Sequence, residues 1–212
     1  MNFPAETLRF LRALKRNNRR EWFNENKQRY EDEVKTPIAR FLDALRPRLA
    51  KLSTSFLVPD GPFRVYRDTR FSADKTPYKL NCAAQLPGGY ISFSADGLFV
   101  GSGLYMPEAA QLQRFRAAVA DDETGPELEA IVATLRKHAY EVGAHDELKT
   151  APKGYPKDHP RIELLRYKGI VMSKSWPVGA WHGTKKAKER VVTCLEAARP
   201  LNACIERAVG VA

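Results

Sequence analysis

Residues 79–104 read KLNCAAQLPGGYISFSADGLFVGSGL, and this stretch decides the fold class. Apolar and polar residues alternate in 79–86, 90–94 and 98–104, which predicts three β-strands. The connecting segments, PGG at 87–89 and ADG at 95–97, are typical of tight turns. Strands joined by such short turns pair antiparallel, so the sequence predicts an antiparallel β-meander.

Helical patterns flank the meander on both sides. Leu8, Leu11 and Leu14 recur at helical spacing, and Thr36-Pro37 is typical of a helix start with threonine as the cap. We predict an α+β fold, in which the meander packs against N-terminal and C-terminal helices. A single domain, 1–212, is expected to contain helices in 1–58, the meander in 62–105, helices in 107–141, a polar loop and strand in 149–172, and a C-terminal helix in 184–208.

Basic residues dominate the charge of the chain. There are 35 Lys and Arg against 25 Asp and Glu, a net charge of +10. Residues 61–90 carry five basic and two acidic side chains and residues 149–190 carry eleven and three, whereas 106–148 carry four and nine. This pattern favours one basic face, able to attract phosphates or nucleic acid, over a uniformly basic surface.

Other classes of protein are disfavoured by the sequence. No apolar run approaches the ~20 residues of a membrane span, and the first residues lack the pattern of a secretory signal, so we expect a cytoplasmic protein without a membrane partner. The four histidines have no metal-ligand spacing, which predicts that there is no metal site. Nothing in the sequence identifies a cofactor or an oligomeric state.

The strongest candidate site is the stretch 63–79, FRVYRDTRFSADKTPYK, with five basic and two acidic residues. It predicts a strand with Phe63 and Val65 on one face, then a polar loop and a second strand. Arginine presents a planar fork of donors that suits phosphate or carboxylate, which favours binding of an anion. In the alternative, the two aspartates neutralise the arginines and only brace the loop. The candidate ligand-binding residues are Arg64, Arg67, Asp68, Arg70, Lys75, Tyr78 and Lys79.

A second candidate is the stretch 153–160, KGYPKDHP. Lys153 is a candidate ligand-binding residue beside a glycine that permits close approach of a ligand. His159 is the candidate catalytic residue, because histidine is suited to proton transfer near neutral pH. The alternative is that His159 caps the turn before Pro160. The sequence leaves open whether loops 64–79 and 153–159 meet in space.

Several motifs in order resemble those of a known family. They are 63–72 (FRVYRDTRFS), 74–79 (DKTPYK), 101–107 (GSGLYMP), Leu148-Lys149 leading to 152–156 (PKGYP), and 158–160 (DHP) leading to Leu164-Leu165. From Phe3 to about Ile205, the chain resembles the bacterial and fungal domain-of-unknown-function family 2461. The resemblance implies little about activity, because the family is defined by sequence.

Three hypotheses on function follow. The first is a cationic pocket that binds a small phosphorylated or carboxylated ligand, with His159 as proton carrier if a reaction occurs. The second is a nucleic-acid-binding protein, whose arginines contact backbone phosphates. The third is a protein-interaction module without a ligand.

Overall fold

The computed structural model describes residues 4–56 and 61–210. The helices are α1 (Ala5–Arg16), α2 (Arg20–Glu25), α3 (Lys27–Tyr30), α4 (Thr36–Leu49), α5 (Ala109–Ala120), α6 (Thr124–Lys137), α7 (Ile162–Arg166), α8 (Lys186–Ala197) and α9 (Arg199–Val209). The strands are β1 (Gly61–Pro62), β2 (Asn81–Leu86), β3 (Gly89–Ser94), β4 (Gly97–Leu104), β5 (Glu141–Gly143) and β6 (Ile170–Pro177). A π-turn, Glu31–Lys35, joins α3 to α4, and a 3₁₀ turn, Ala50–Leu52, follows α4.

The strands form one antiparallel sheet in the order β1-β2-β3-β4-β6-β5. The predicted α+β fold is confirmed, and β2, β3 and β4 are the predicted meander. Strand β6 returns along the whole of β4, from Leu104 opposite Ile170 to Gly97 opposite Pro177. The short edge strand β5 lies at the end of the region predicted as helices 107–141, and its three residues are too few to show a periodicity.

The two faces of the sheet have different surroundings. Helices α4, α8 and α9 pack on one face, where Ile91, Phe93 and Val100 are fully buried. Along β3 buried and half-buried residues alternate, so Tyr90 and Ser92 lie on the opposite face and remain partly exposed. We call this opposite side the open face.

The prediction of one continuous C-terminal helix over 184–208 is wrong in one respect. It is two helices, α8 and α9, separated at Ala198. Pro200 lies in the first turn of α9, where a missing N–H is tolerated, but it cannot continue the hydrogen bonding of α8. Thr36 also differs from prediction, because the π-turn before it is already helical and Thr36 lies inside the helix instead of capping it.

The strand predicted to begin at Phe63 is absent, because β1 ends at Pro62, before this stretch, and Tyr66 forms an isolated bridge with Tyr78. Val65 is buried, but Phe63 is 47% exposed, so the two do not share one environment. Pro62 and Pro77 lack the N–H groups that a regular ladder requires. The hairpin is therefore held by scattered bonds, such as Lys79 N–H to Val65 C=O at 2.7 Å.

Candidate ligand-binding site

A concave pocket with a volume of about 640 Å³ lies on the open face of the sheet. One row of residues in register forms its floor: Gln85, Tyr90, Gly101, Ser173 and Glu141 stand opposite one another across β2, β3, β4, β6 and β5. Because Gly101 has no side chain, the Phe99 ring can lie over it, and an added Cβ would come within 3.0 Å of that ring. We call this depression the open-face pocket.

Aromatic rings line one side of the open-face pocket. The ring centroids of Phe63 and Tyr90 are 6.0 Å apart, and those of Tyr90 and Phe99 are 6.1 Å apart with the rings edge to face. Lys79 Nζ lies 5.4 Å from the centroid of Phe63, at the outer end of this row. The row offers a continuous apolar wall on which a planar group could stack.

Tyr105 and His145 line the pocket at the end of β4 and just after β5. The Tyr105 hydroxyl lies 3.3 Å from His145 Nδ1, and the two ring centroids are 5.0 Å apart. Tyr105 is 55% exposed, so about half of the residue remains accessible to solvent or a ligand. The pair brings hydrogen-bonding groups to a pocket whose remaining walls are mostly apolar.

Burial further favours the neutral form of the Tyr90 hydroxyl. Desolvation raises the pKa of its hydroxyl above the ordinary tyrosine value. The group therefore stays protonated at neutral pH, and it can donate as well as accept a hydrogen bond.

Two glycines of the pocket differ in the space around them. Gly103 has φ +125°, and an added Cβ would lie 2.3 Å from the Ile170 carbonyl oxygen, so this position requires glycine. At Gly143 an added Cβ would meet no atom within 4 Å. Val142 between Glu141 and Gly143 is buried in the core, so its two neighbours face the pocket side.

A second concavity, of about 870 Å³, lies between the loop 66–78 and the start of α2, and we call it the loop cleft. Arg19, Arg20, Arg67 and Lys75 are its basic lining residues, while Glu21 and Asp74 are acidic. The other lining residues are Asn18, Asn24, Tyr66, Thr69, Thr76, Pro77 and Tyr78.

The predicted binding arginines are paired within their own loop. Arg67 donates to Asp74 and Thr76, and its Nη2 lies 3.4 Å from Ser72 Oγ. Hydrogen bonding from Arg67 lowers the pKa of Asp74 to about 2. Arg70 binds Asp68 through Nε at 3.0 Å and Nη2 at 2.7 Å, which lowers the pKa of that carboxyl as well. These contacts are the ones that a bracing role requires.

The remaining predicted residues of the loop have varied surroundings. Lys75 Nζ donates to the Thr69 carbonyl at 2.9 Å, and Arg64 is exposed. Tyr78 is only 3% exposed, and its ring stacks on Phe23 with centroids 4.0 Å apart. Tyr78 is thus mainly a core residue that borders the loop cleft.

The second predicted loop lies elsewhere. No described residue of 153–159 lines the loop cleft, and Lys153 is exposed. Loop 64–79 leads from β1 to β2 at one edge of the sheet. Residues 146–168 precede β6, next to the opposite edge, and a hydrogen bond from Lys168 N–H to the Asp146 carbonyl joins their two ends. His159 Nδ1 accepts a hydrogen bond from the Arg161 N–H at 3.0 Å, the arrangement expected of a residue that shapes the turn.

Two further observations concern residues 4–56 and 61–210. They contain no group of three His, Cys, Asp or Glu side chains placed to hold a metal ion. None of their helices combines the length and the apolar character needed to cross a membrane.

Comparison with known proteins places the chain in a family. The model of a conserved hypothetical protein family, DUF2461, matches residues 6–203. The chain belongs to DUF2461. The resemblance noted from the motifs is therefore confirmed, and the DUF2461 match spans both concavities. No curated protein and no solved structure shows a significant match.

Sequence reasoning missed the open-face pocket. Strand alternation alone places Tyr90 and Phe99 on the face opposite Ile91 and Val100, and this signal was present in the sequence. No short sequence motif identifies His145 as a pocket residue, because it reaches the pocket only through the pairing of β5 with β6.

Proposed function

We propose that the protein binds a small organic molecule in the open-face pocket, with a planar apolar body on the aromatic row and a hydrogen-bonding group toward Tyr105 and His145. One observation carries this proposal: a mostly apolar concavity of about 640 Å³ combines the contiguous rings of Phe63, Tyr90 and Phe99 with a Tyr–His pair. Pockets of roughly 300–1,000 Å³ with few polar groups are typical of small-molecule sites.

A thermal-shift screen of small aromatic acids, amides and amines tests the proposal. A ligand present at about 100 times its Kd adds about 2.7 kcal/mol to the free energy of unfolding, enough to raise the midpoint by several degrees. Gly143→Ile should abolish this shift, because its side chain enters open space at the pocket wall. Isoleucine also suits a strand, so we expect the variant to fold.

The matched control is Gly183→Ile. An added Cβ at Gly183 also meets no atom within 4 Å, and this residue lies outside the pocket lining. Its ligand shift should equal that of the unmodified protein. Equal shifts in Gly143→Ile and Gly183→Ile would contradict the proposed pocket, and so would a screen in which no compound stabilises the protein.

A second candidate is an anionic ligand, phosphorylated or carboxylated, in the loop cleft. Its specific support is that the Arg19 and Arg20 guanidinium groups make no hydrogen bond or ion pair within the described part of the chain. Unlike Arg67, they keep their donors available. Both lie on the wall opposite the loop 66–78.

Charge-matched variants test this candidate. Arg20→Gln should weaken stabilisation by sugar phosphates or dicarboxylates, whereas Arg12→Gln, which removes the same charge from an exposed position of α1, should not. Equal losses would indicate only a general effect of net charge. Binding of oligonucleotides alone, with log K falling by about 0.7 to 0.9 per contacted phosphate as log salt rises, would favour the nucleic-acid hypothesis.

A further inference from the structure

A third concavity, of about 340 Å³, lies between α8 and β6, away from both sites described above. Lys174 and Trp176 of β6 line it from the sheet, and Lys186, Glu189 and Arg190 line it from α8. We call it the α8 cavity. Spacings of three and four residues place the three α8 side chains on one side of that helix.

Arg190 lies against two tryptophan rings, and we call these two contacts the aromatic clamp. Its guanidinium carbon lies 4.3 Å from the ring centroid of Trp181 and 5.5 Å from that of Trp176. Such cation–π contacts fix the plane of the guanidinium but provide no hydrogen-bond acceptor in the plane of its N–H groups. The aromatic clamp therefore positions the donors of Arg190 without using them.

The donors of Arg190 have no acceptor in the described part of the chain. Nη1 is buried without a hydrogen-bond partner. Nε and Nη2 also make no hydrogen bond, yet they are absent from the fully buried unpaired atoms, so they remain accessible on a residue that lines the cavity. Desolvation lowers the pKa of Arg190, as expected for a cation that has lost water without gaining an anion.

The other charges of the α8 cavity are also unbalanced. Lys174 Nζ lies 4.6 Å from the ring centroid of Tyr140 and 3.4 Å from the His138 carbonyl, and no carboxylate of the described residues lies within ion-pair distance of it. Lys186 and Arg190 are one helical turn apart, and like charges at this spacing repel each other. Glu189 is the one carboxylate among the lining residues, and it forms no ion pair with any described residue.

We propose that the α8 cavity binds a phosphate group, either as the free ion or as the monoester of a small molecule. Nε and Nη2 of Arg190 would bind two phosphate oxygens in the planar bidentate manner, while Lys174 and Lys186 supply point charges. Three cations facing one carboxylate favour a doubly charged group over a single carboxylate. The bound anion would also relieve the repulsion between Lys186 and Arg190.

The test uses the tryptophans that flank the site. Two of the three tryptophans of the chain contact Arg190, so intrinsic emission should report on occupancy. Inorganic phosphate and, separately, a hexose phosphate are titrated at constant ionic strength, with chloride as the reference. We expect a saturable change in emission with phosphate that chloride does not produce; a change with the hexose phosphate alone would identify the ligand as a monoester.

Three variants decide whether Arg190 is responsible. Arg190→Lys keeps the charge but loses the fork, and should weaken binding about tenfold or more. Lys186→Gln removes an exposed cation without touching the tryptophan clamp, so it provides a second readout if Arg190→Lys folds poorly. Lys188→Gln removes the same charge from α8 outside the cavity lining and should bind like the unmodified protein.

The proposal is overturned by any of three results. Phosphate and chloride could give the same emission change at equal ionic strength. Both Arg190→Lys and Lys186→Gln could retain the original affinity. Lys188→Gln could weaken binding as much as Lys186→Gln, which would indicate general attraction of anions to a basic surface.

Discussion

The loop cleft and the open-face pocket are built in opposite ways. The loop cleft is rich in charge, but much of that charge is paired inside one short segment, as Arg67 with Asp74 and Arg70 with Asp68. The open-face pocket has few charges, and its walls come from five strands and three connecting segments that are distant in sequence. A dense local motif can therefore satisfy its own donors, while an open concavity arises from residues with no local pattern.

The largest expected difference in the free energy of unfolding is between alanine variants of the two tyrosines that border these sites. Tyr78→Ala should lower the free energy of unfolding by about 4 kcal/mol, because it removes a buried ring from the core. Tyr105→Ala should cost less than about 0.5 kcal/mol, because that side chain is half exposed. Unfolding in urea measures both. Similar costs for the two variants would refute the assignment of Tyr78 to the core and Tyr105 to an open site.

A smaller effect is expected from the glycines of the pocket. Gly103→Ala should destabilise the fold by about 3 kcal/mol, since it combines a positive φ with a clash against the Ile170 carbonyl. Gly143→Ala has open space, and it should be neutral or stabilising by up to about 1 kcal/mol. Denaturant unfolding of the pair checks this contrast. If Gly103→Ala is as stable as Gly143→Ala, the close approach of β4 and β6 is not as described.

The smallest effect concerns the ion pairs of the loop. Because Arg67 lowers the pKa of Asp74 to about 2, the stabilisation that this pair provides is present above the unfolded aspartate pKa of about 3.9. It is lost as the pH falls through about 2. Asp74→Asn should therefore lower stability at neutral pH and flatten the loss of stability between about pH 4 and pH 2.

Thermal unfolding across this pH range measures the effect, with Asp158→Asn as the control. Asp158 is exposed and forms no hydrogen bond or ion pair through its side chain with any described residue. Its variant should follow the original pH profile. An Asp74→Asn profile that also follows the original would show that the Arg67–Asp74 contact does not brace the loop.

The sequence by itself determined the fold class and the family. Short turns such as PGG at 87–89 permit only antiparallel neighbours, and the motifs from 63–79 to 158–165 identify DUF2461. These features were predictable because tight turns and strand alternation are set by backbone geometry over a few residues.

Only the tertiary structure decided which residues share a site. It left His159 outside the lining of the loop cleft, paired the loop arginines with neighbouring aspartates, and brought His145 to Tyr105 across 40 residues. It also brought Arg190 against Trp176 and Trp181, which no spacing in the sequence indicated. The physical reason is that hydrogen bonding and burial depend on distances between strands and helices, and those distances are set by how the elements pack, not by the order of residues within each element.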